Sequence, residues 1–148
     1  MDNNVELINE LNDFLKGINM GIDSFNSYKE KLQDENLKNQ FSMILNVFGS
    51  QKQRVISLID KLGGEVDDSI GLGGEIASIF GKMKDLLIDN DKEVIEHAIN
   101  AMDMGAKQGD KVVAKLEEMY SDQYIIESLK TMVNEYREVC INLTKLNK

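Results

Sequence analysis

The sequence contains no proline and no tryptophan, and cysteine and histidine occur once each, as Cys140 and His97. Without proline nothing forces a helix to break, so long uninterrupted helices are permitted throughout the 148 residues. A single cysteine excludes an intramolecular disulfide and fits a reducing compartment. Basic residues are also few, with 17 Lys and Arg against 26 Asp and Glu and a net charge of −9. Nucleic-acid binding is therefore not expected, because neutralising phosphates takes clustered Lys and Arg. No apolar run approaches the ~18 residues of a membrane span. The start, Met1-Asp2-Asn3-Asn4-Val5-Glu6, is acidic where a secretory signal is basic. A cytoplasmic protein with no membrane partner is the expectation.

What is present is helical periodicity. With 42% hydrophobic and 29% charged residues, the chain reads as one domain, 1–148, long enough to bury roughly 70% of its unfolded surface. Four segments carry apolar stripes at four-three spacing. The second runs Phe41, Leu45, Phe48, Lys52, Val55, Ile59, Leu62, with Lys52 its one polar member. The fourth runs Ile125, Leu129, Met132, Tyr136, Val139, Leu143, Leu146. The first offers Ile8, Leu11, Leu15, Ile18, Ile22, Phe25 and Leu32, and the third Ile95, Ile99, Met102, Ala106, Gly109, Val113 and Leu116. Such helices are stable only when the stripes are buried against one another.

Capping chemistry sets the boundaries. Asp34-Glu35-Asn36 reads as a short turn, Gly63-Gly64 as a helix stop, Asp89-Asn90-Asp91 as the cap of the third helix, and Ser121 or Asp122 as the cap of the fourth. Helices are expected over about 2–33, 37–62, 91–118 and 122–147. Residues 63–90 form a long crossover, with a short helix at about 75–88 carrying Ile76, Ile79, Phe80, Met83 and Leu87. Two short links around a long one give an all-α, up-down-down-up four-helix bundle.

The sequence also repeats weakly. A shift of 84 residues brings Met20-Gly21 onto Met104-Gly105, Lys31-Leu32 onto Lys115-Leu116, Leu45 onto Leu129, Val55 onto Val139 and Lys61-Leu62 onto Lys145-Leu146. The chain reads as a duplicated helical hairpin with the crossover between the copies.

Several stretches resemble an uncharacterised bacterial domain-of-unknown-function branch of the ferritin-like superfamily. They are Leu11-Asn12-Asp13-Phe14-Leu15-Lys16-Gly17, Met20-Gly21-Ile22-Asp23-Ser24-Phe25, Leu62-Gly63-Gly64 and Ser69-Ile70-Gly71-Leu72-Gly73-Gly74. The resemblance implies a four-helix bundle and, in metal-binding relatives, a di-iron centre at mid-bundle. Such a centre needs an inward Glu on each of two helices and Glu-x-x-His on each of the others. Here Ile18 and Met102 stand where the single glutamates belong, and no Glu-x-x-His occurs. The nearest remnant is Glu135-x-x-Glu138, whose repeat mate is Gln51-x-x-Arg54. A di-iron site of the usual type is therefore not expected. In its place Gln51, Lys52, Glu135 and Tyr136 are expected to form a polar layer, with either a Lys52–Glu135 pair or Lys52 reaching past the seam to solvent.

Glycine is dense at the same level. Gly17, Gly21, Gly49, Gly105 and Gly109 all fall inside helices, where each costs about 1 kcal/mol relative to Ala. Either these glycines let the first and third helices approach closely, or they leave a small-ligand cavity beside Tyr28 and Tyr136. Other motifs are incomplete. Gly71-Leu72-Gly73-Gly74 lacks the Lys and Ser/Thr of a phosphate loop, and Asp89-Asn90-Asp91 has Val94 where a calcium loop needs Gly. His97 lies beside its helix's stripe, poorly placed for a catalytic triad.

The leading expectation is a metal-free bundle with a structural or protein-interaction role, whose crossover face either covers its own bundle or pairs with a second copy as a homodimer; the sequence leans against an enzyme without deciding it. The first alternative is an iron-binding or oxidase-type protein using Glu135, Glu138 and carboxylates such as Asp23 or Asp103. The second is small-molecule binding at the glycine-lined centre.

Overall fold

The computed structural model describes residues 2–67 and 90–147. Four helices account for nearly all of them: α1 Asp2–Lys31, α2 Glu35–Lys61, α3 Asp91–Glu118 and α4 Gln123–Leu146. Among the described residues there is no strand. The short helix expected at about 75–88 and the Gly71–Gly74 stretch lie outside the described residues.

Each boundary is built by side-chain or backbone capping. Asp34, Asn90 and Asp122 are the N-caps of α2, α3 and α4, and their side chains accept from the backbone N–H groups of Asn36, Glu93 and Tyr124. The link lies two residues earlier than the expected Asp34-Glu35-Asn36 turn: residues 32–34 make it, and Glu35 already belongs to α2. At the end of α2 the Gly63 N–H donates to the Asp60 carbonyl and the Gly64 N–H to the Ile59 carbonyl, with Gly63 at φ 75°. This double closure satisfies carbonyls that the helix end otherwise leaves orphaned.

The end of α3 closes in the same way, the N–H groups of Tyr120 and Ser121 donating to the carbonyls of Glu117 and Leu116. Here the left-handed position is held by a tyrosine, Tyr120 at φ 53°. A Cβ in that conformation costs roughly 1 kcal/mol. The ring offsets little of the cost, because Tyr120 is 94% exposed. Tyr120→Gly is expected to stabilise the protein by about 1 kcal/mol, read as a higher urea midpoint at unchanged m-value.

Helix directions follow from contacts at the two ends of the bundle. The Asp91 carboxylate, at the start of α3, accepts from the backbone N–H groups of Gln33 (2.8 Å) and Asp34 (3.0 Å), just beyond the end of α1. Lys115 near the end of α3 pairs with Glu10 near the start of α1 at 3.6 Å. Helices α1 and α3 are therefore antiparallel, as are the hairpins α1–α2 and α3–α4, giving up-down-down-up order. α1 packs closely on both α2 and α3, and α3 on α4, whereas α2 and α4 approach much less closely. The chain leaving α2 is pinned to α1: the buried Asn12 donates to the Glu65 carbonyl at 3.0 Å and accepts from the Asp67 N–H at 2.8 Å. Lys16 pairs with Asp67 at 3.1 Å.

The core is a continuous apolar column in which six aromatic rings form a chain. Phe14 stacks on Tyr136 with centroids 6.4 Å apart, and Tyr136 meets Phe48 at 5.8 Å. Phe48 meets Phe25 at 5.5 Å, and Phe25 touches both Phe41 and Tyr28. Rings at such separations add roughly 0.5–1.5 kcal/mol per pair beyond area burial. The chain thus ties α1, α2 and α4 together at mid-bundle, where the polar residues are found.

Candidate functional site

The buried face of α2 keeps Phe41, Phe48, Val55 and Ile59 of its expected stripe, but Ile44 and Gln51 are buried where Leu45 and Lys52 were expected, and Leu58 is buried as well, while Leu45 and Lys52 are half-buried. Of the two adjacent polar residues it is Gln51, fully buried, that enters the core. Burying a neutral amide that finds hydrogen bonds costs far less than burying an ammonium, so the helix rotates the amide inward.

Gln51 is the centre of the polar layer. Its Nε2 donates to Glu135 Oε1 at 3.1 Å and to the Met132 carbonyl at 3.3 Å. Among the described residues the side-chain oxygen of Gln51 is buried with no hydrogen-bond partner. From the outer side Arg54 reaches the same Glu135 oxygen at 3.6 Å. Glu135 is thus held between an amide within the core and a guanidinium at the rim. Lys52, expected either to pair with Glu135 or to reach past the seam to solvent, is half-buried on α2. Sequence reasoning named Arg54 only within the repeat mate of Glu135-x-x-Glu138 and missed it as a carboxylate partner. Gln51 and Glu135 are 84 residues apart, the offset of the sequence repeat, and that offset was the signal available for finding the contact.

Tyr136, the fourth member of the layer, is 4% exposed. Burial, reinforced by the neighbouring Glu135 carboxylate, pushes its hydroxyl well above the ordinary phenol range. Tyr28 is also buried, and its pKa is pushed up to about 12 by desolvation. It packs edge-on against Phe25 and does not line the cavity described below.

The other carboxylates considered as ligands do not converge on this layer. Glu138 and Asp103 are exposed, Asp103 pairing with Lys107 at 2.9 Å on the surface of α3. Asp23 is half-buried on α1. Ile18 and Met102, at the positions where single glutamates belong, are buried in the core. Among the described residues no cluster of three or more His, Cys, Asp or Glu side chains is arranged to hold a metal ion. His97 is half-buried on α3. Cys140 lies against the Ile99 carbonyl at 3.8 Å, its thiol pushed up by burial and by Asp103 against an opposing influence of Arg137.

The mid-helix glycines divide into two kinds. A Cβ on Gly21 meets Phe48 at 2.6 Å, and one on Gly109 meets Val133 at 2.6 Å and Phe14 at 3.3 Å. These two permit close packing. A Cβ on Gly17, Gly49 or Gly105 meets nothing within 4 Å among the described residues. Gly17 and Gly105 instead line a cleft between α1 and α3 with a volume of about 40 Å³, floored by Phe14, Phe48 and Tyr136. The close packing at Gly21 is against Phe48 of α2, and that at Gly109 against Val133 of α4 and Phe14 of α1, while Gly17 and Gly105 border open space.

A stability series separates the two kinds. Gly17→Ala and Gly105→Ala are expected to stabilise by up to about 1 kcal/mol each, the helix-propensity gain. At Gly21 and Gly109 overpacking costs about 1–3 kcal/mol against that gain. Alanine there is expected to leave the protein up to about 2 kcal/mol less stable. Urea midpoints of the four single variants check the ordering.

The fold defined by these contacts is that of the ferritin-like proteins. The chain belongs to the domain-of-unknown-function family DUF2383, whose model matches residues 6–115. It is similar in structure to a ferritin-like, diiron-carboxylate protein from Bacillus anthracis, with a TM-score of 0.76 at 18% identity over 100% of this chain and 99% of that one. A second similar structure is a two-domain protein from Anabaena variabilis with dj-1/thij/pfpi-like and ferritin-like domains. Its TM-score is 0.74 at 19% identity, over 97% of this chain and 39% of that longer one. No match is found among curated proteins. No helix among the described residues is long and apolar enough to cross a membrane.

Proposed function

We propose that this protein is a ferritin-like bundle whose centre is held by protein groups in place of a di-metal site, and which acts as a structural or binding module without oxidase activity. The observation that carries this reading is the Gln51–Glu135–Arg54 cluster. In a di-iron bundle, carboxylates and imidazoles surround two cations. Here an amide N–H and a guanidinium satisfy Glu135, and both are donors that cannot ligate a cation. The residues present do not fit a di-iron centre: Arg54 places a fixed positive charge at its edge, and Ile18 and Met102 offer no oxygen. In the Anabaena protein a ferritin-like domain is joined to a second domain, which supports reading such bundles as modules that work beside another protein surface.

Metal analysis of protein purified without chelators tests the reading. The expected content is far below one metal per chain, with thermal stability unchanged by added ferrous or manganous ion. Stoichiometric iron that disappears in Glu135→Ala overturns it in favour of the oxidase-type alternative.

A further inference from the structure

We propose that the link between α3 and α4 is a docking surface for a cationic, arginine-bearing segment of a partner protein, held by the exposed rings of Tyr120 and Tyr124 and the carboxylates beside them. The proposal rests on the reading of the bundle as a binding module and names the chemistry of its partner.

The chain has four tyrosines, and they divide evenly. Tyr28 and Tyr136 are core residues, whereas Tyr120 is 94% exposed and Tyr124 67%. The two exposed rings belong to one end of the bundle, Tyr120 in the link and Tyr124 on the first turn of α4. Neither makes a ring contact or a side-chain hydrogen bond among the described residues, so nothing within the chain accounts for aromatic residues here. Tyr120 moreover holds the left-handed position, at φ 53°, that Gly63 fills at the end of α2. An unfavourable conformation kept for a ring that stands in solvent points to contact with another molecule. Tyrosine is among the side chains enriched in such contacts.

Charge selects the partner. Residues 116–129 contain four carboxylates, Glu117, Glu118, Asp122 and Glu127, and no Lys or Arg. Lys130, one residue further along α4, pairs with Glu117 at 3.3 Å and with Glu127 at 3.9 Å. Glu118 is exposed and has no ion-pair partner among the described residues. Asp122, also exposed, commits Oδ1 to the Tyr124 N–H. A guanidinium uses both features of the link, since its plane stacks on a tyrosine face and its N–H fork pairs with a carboxylate. An apolar segment docked here desolvates carboxylates without pairing them. Nucleic acid and anionic lipid are repelled by the same charge. A second copy meeting this one across a twofold axis sets Glu118 and Asp122 against their own counterparts.

End-capped tetra-arginine and tetra-lysine peptides are the probes, with tetra-glutamate as the control. Titrated into isotope-labelled full-length protein at about 0.15 M salt, tetra-arginine is expected to give saturable shifts centred on the amide signals of residues 117–127. Tetra-lysine is expected to bind there more weakly and tetra-glutamate to shift nothing. The double variant Tyr120→Gly with Tyr124→Ser changes exposed side chains alone. It is expected to raise the tetra-arginine dissociation constant about five- to thirtyfold, the worth of two exposed contacts between a cation and a ring. Glu118→Gln is expected to raise it about two- to fivefold. The absence of saturable shifts, shifts spread evenly over the acidic faces of the bundle, or an unchanged constant in either variant overturns the docking surface. Equal binding of tetra-lysine overturns the choice of arginine. Signals of residues 117–127 that move with protein concentration before peptide is added overturn the cationic partner in favour of a second copy. Should the tyrosine variant fail to fold by circular dichroism, the wild-type and Glu118→Gln titrations decide. Metal content is measured on the same samples, so a metal-free bundle that binds no tetra-arginine removes this surface and leaves the reading of the bundle centre standing.

Discussion

Gln51→Glu is expected to destabilise the protein by about 4 kcal/mol at about pH 8, and by less than half of that at about pH 5.5. The side chain at this position is fully buried, and its nitrogen lies 3.1 Å from Glu135. Replacing the amide by a carboxyl turns a donor–acceptor contact into two oxygens competing for one proton. Both cannot be ionised at that separation, and a carboxyl in so dry a place has its pKa raised by about 3 units. The group is protonated in the fold and ionised in the unfolded chain over the interval between. Stability is therefore fully present below about pH 4.3 and is lost as pH rises through the raised value. Arg54 at 3.6 Å softens the clash without removing it, since it sits at the half-exposed rim and already serves Glu135.

Gln51→Leu is the control that assigns this cost to charge. It removes an amide whose oxygen has no partner among the described residues and leaves Glu135 with Arg54 and solvent, so a change within about 1 kcal/mol is expected. Urea unfolding of the two variants and the wild type at both pH values checks the pair. A Gln51→Glu protein as stable as the wild type at about pH 8 shows that the layer is wet, and the view of Gln51 as an inward, dry donor then fails.

The four helices were legible because they rest on many concordant residues. Each stripe has six or seven apolar members, and the caps Asp34, Asn90 and Asp122 lie where short polar side chains interrupt the pattern. An error of one position in any stripe barely moves the bundle. The candidate site has no such redundancy. Choosing between the neighbours Gln51 and Lys52 as the inward residue decides whether the centre is an ion pair or an amide–carboxylate contact. A four-three stripe through Phe48 and Val55 passes equally well through either, separated by only 100° on the helix. Desolvation settles it, and desolvation belongs to the packed state. The division of the glycines was hidden for the same reason. Gly21 and Gly105 are mates at the repeat offset, yet one faces a phenylalanine ring and the other open space. The outer contact between Arg54 and Glu135 depends on the register of two helices with no short link between them, and no local motif encodes that.

Raising the pH from about 10 to about 12 is expected to remove about 4 kcal/mol of stability, through two buried tyrosines alone. Tyr28 is 1% exposed and Tyr136 4%. Desolvation holds both in the neutral form, with Tyr28 pushed up to about 12 and Tyr136 higher still, where the Glu135 carboxylate adds to the effect. In the unfolded chain a tyrosine ionises near pH 10. Above that value the unfolded state releases protons that the folded state retains, so stability falls with rising pH. Each tyrosine contributes a slope of about 1.4 kcal/mol per pH unit until its folded-state pKa is reached. Below about pH 10 the contribution is complete and the slope vanishes. The double variant Tyr28→Phe with Tyr136→Phe keeps both rings in the aromatic chain and removes the ionisable groups, so its stability is expected to fall much less over the same interval. Unfolding free energies across the interval at constant ionic strength measure the difference. Tyrosinate absorbance, taken as wild type minus double variant, is expected to appear together with loss of the helical circular dichroism signal. Tyrosinate absorbance that develops in full while the helices persist shows that water reaches these hydroxyls in the folded state, and removes the basis for treating the centre of the bundle as dry.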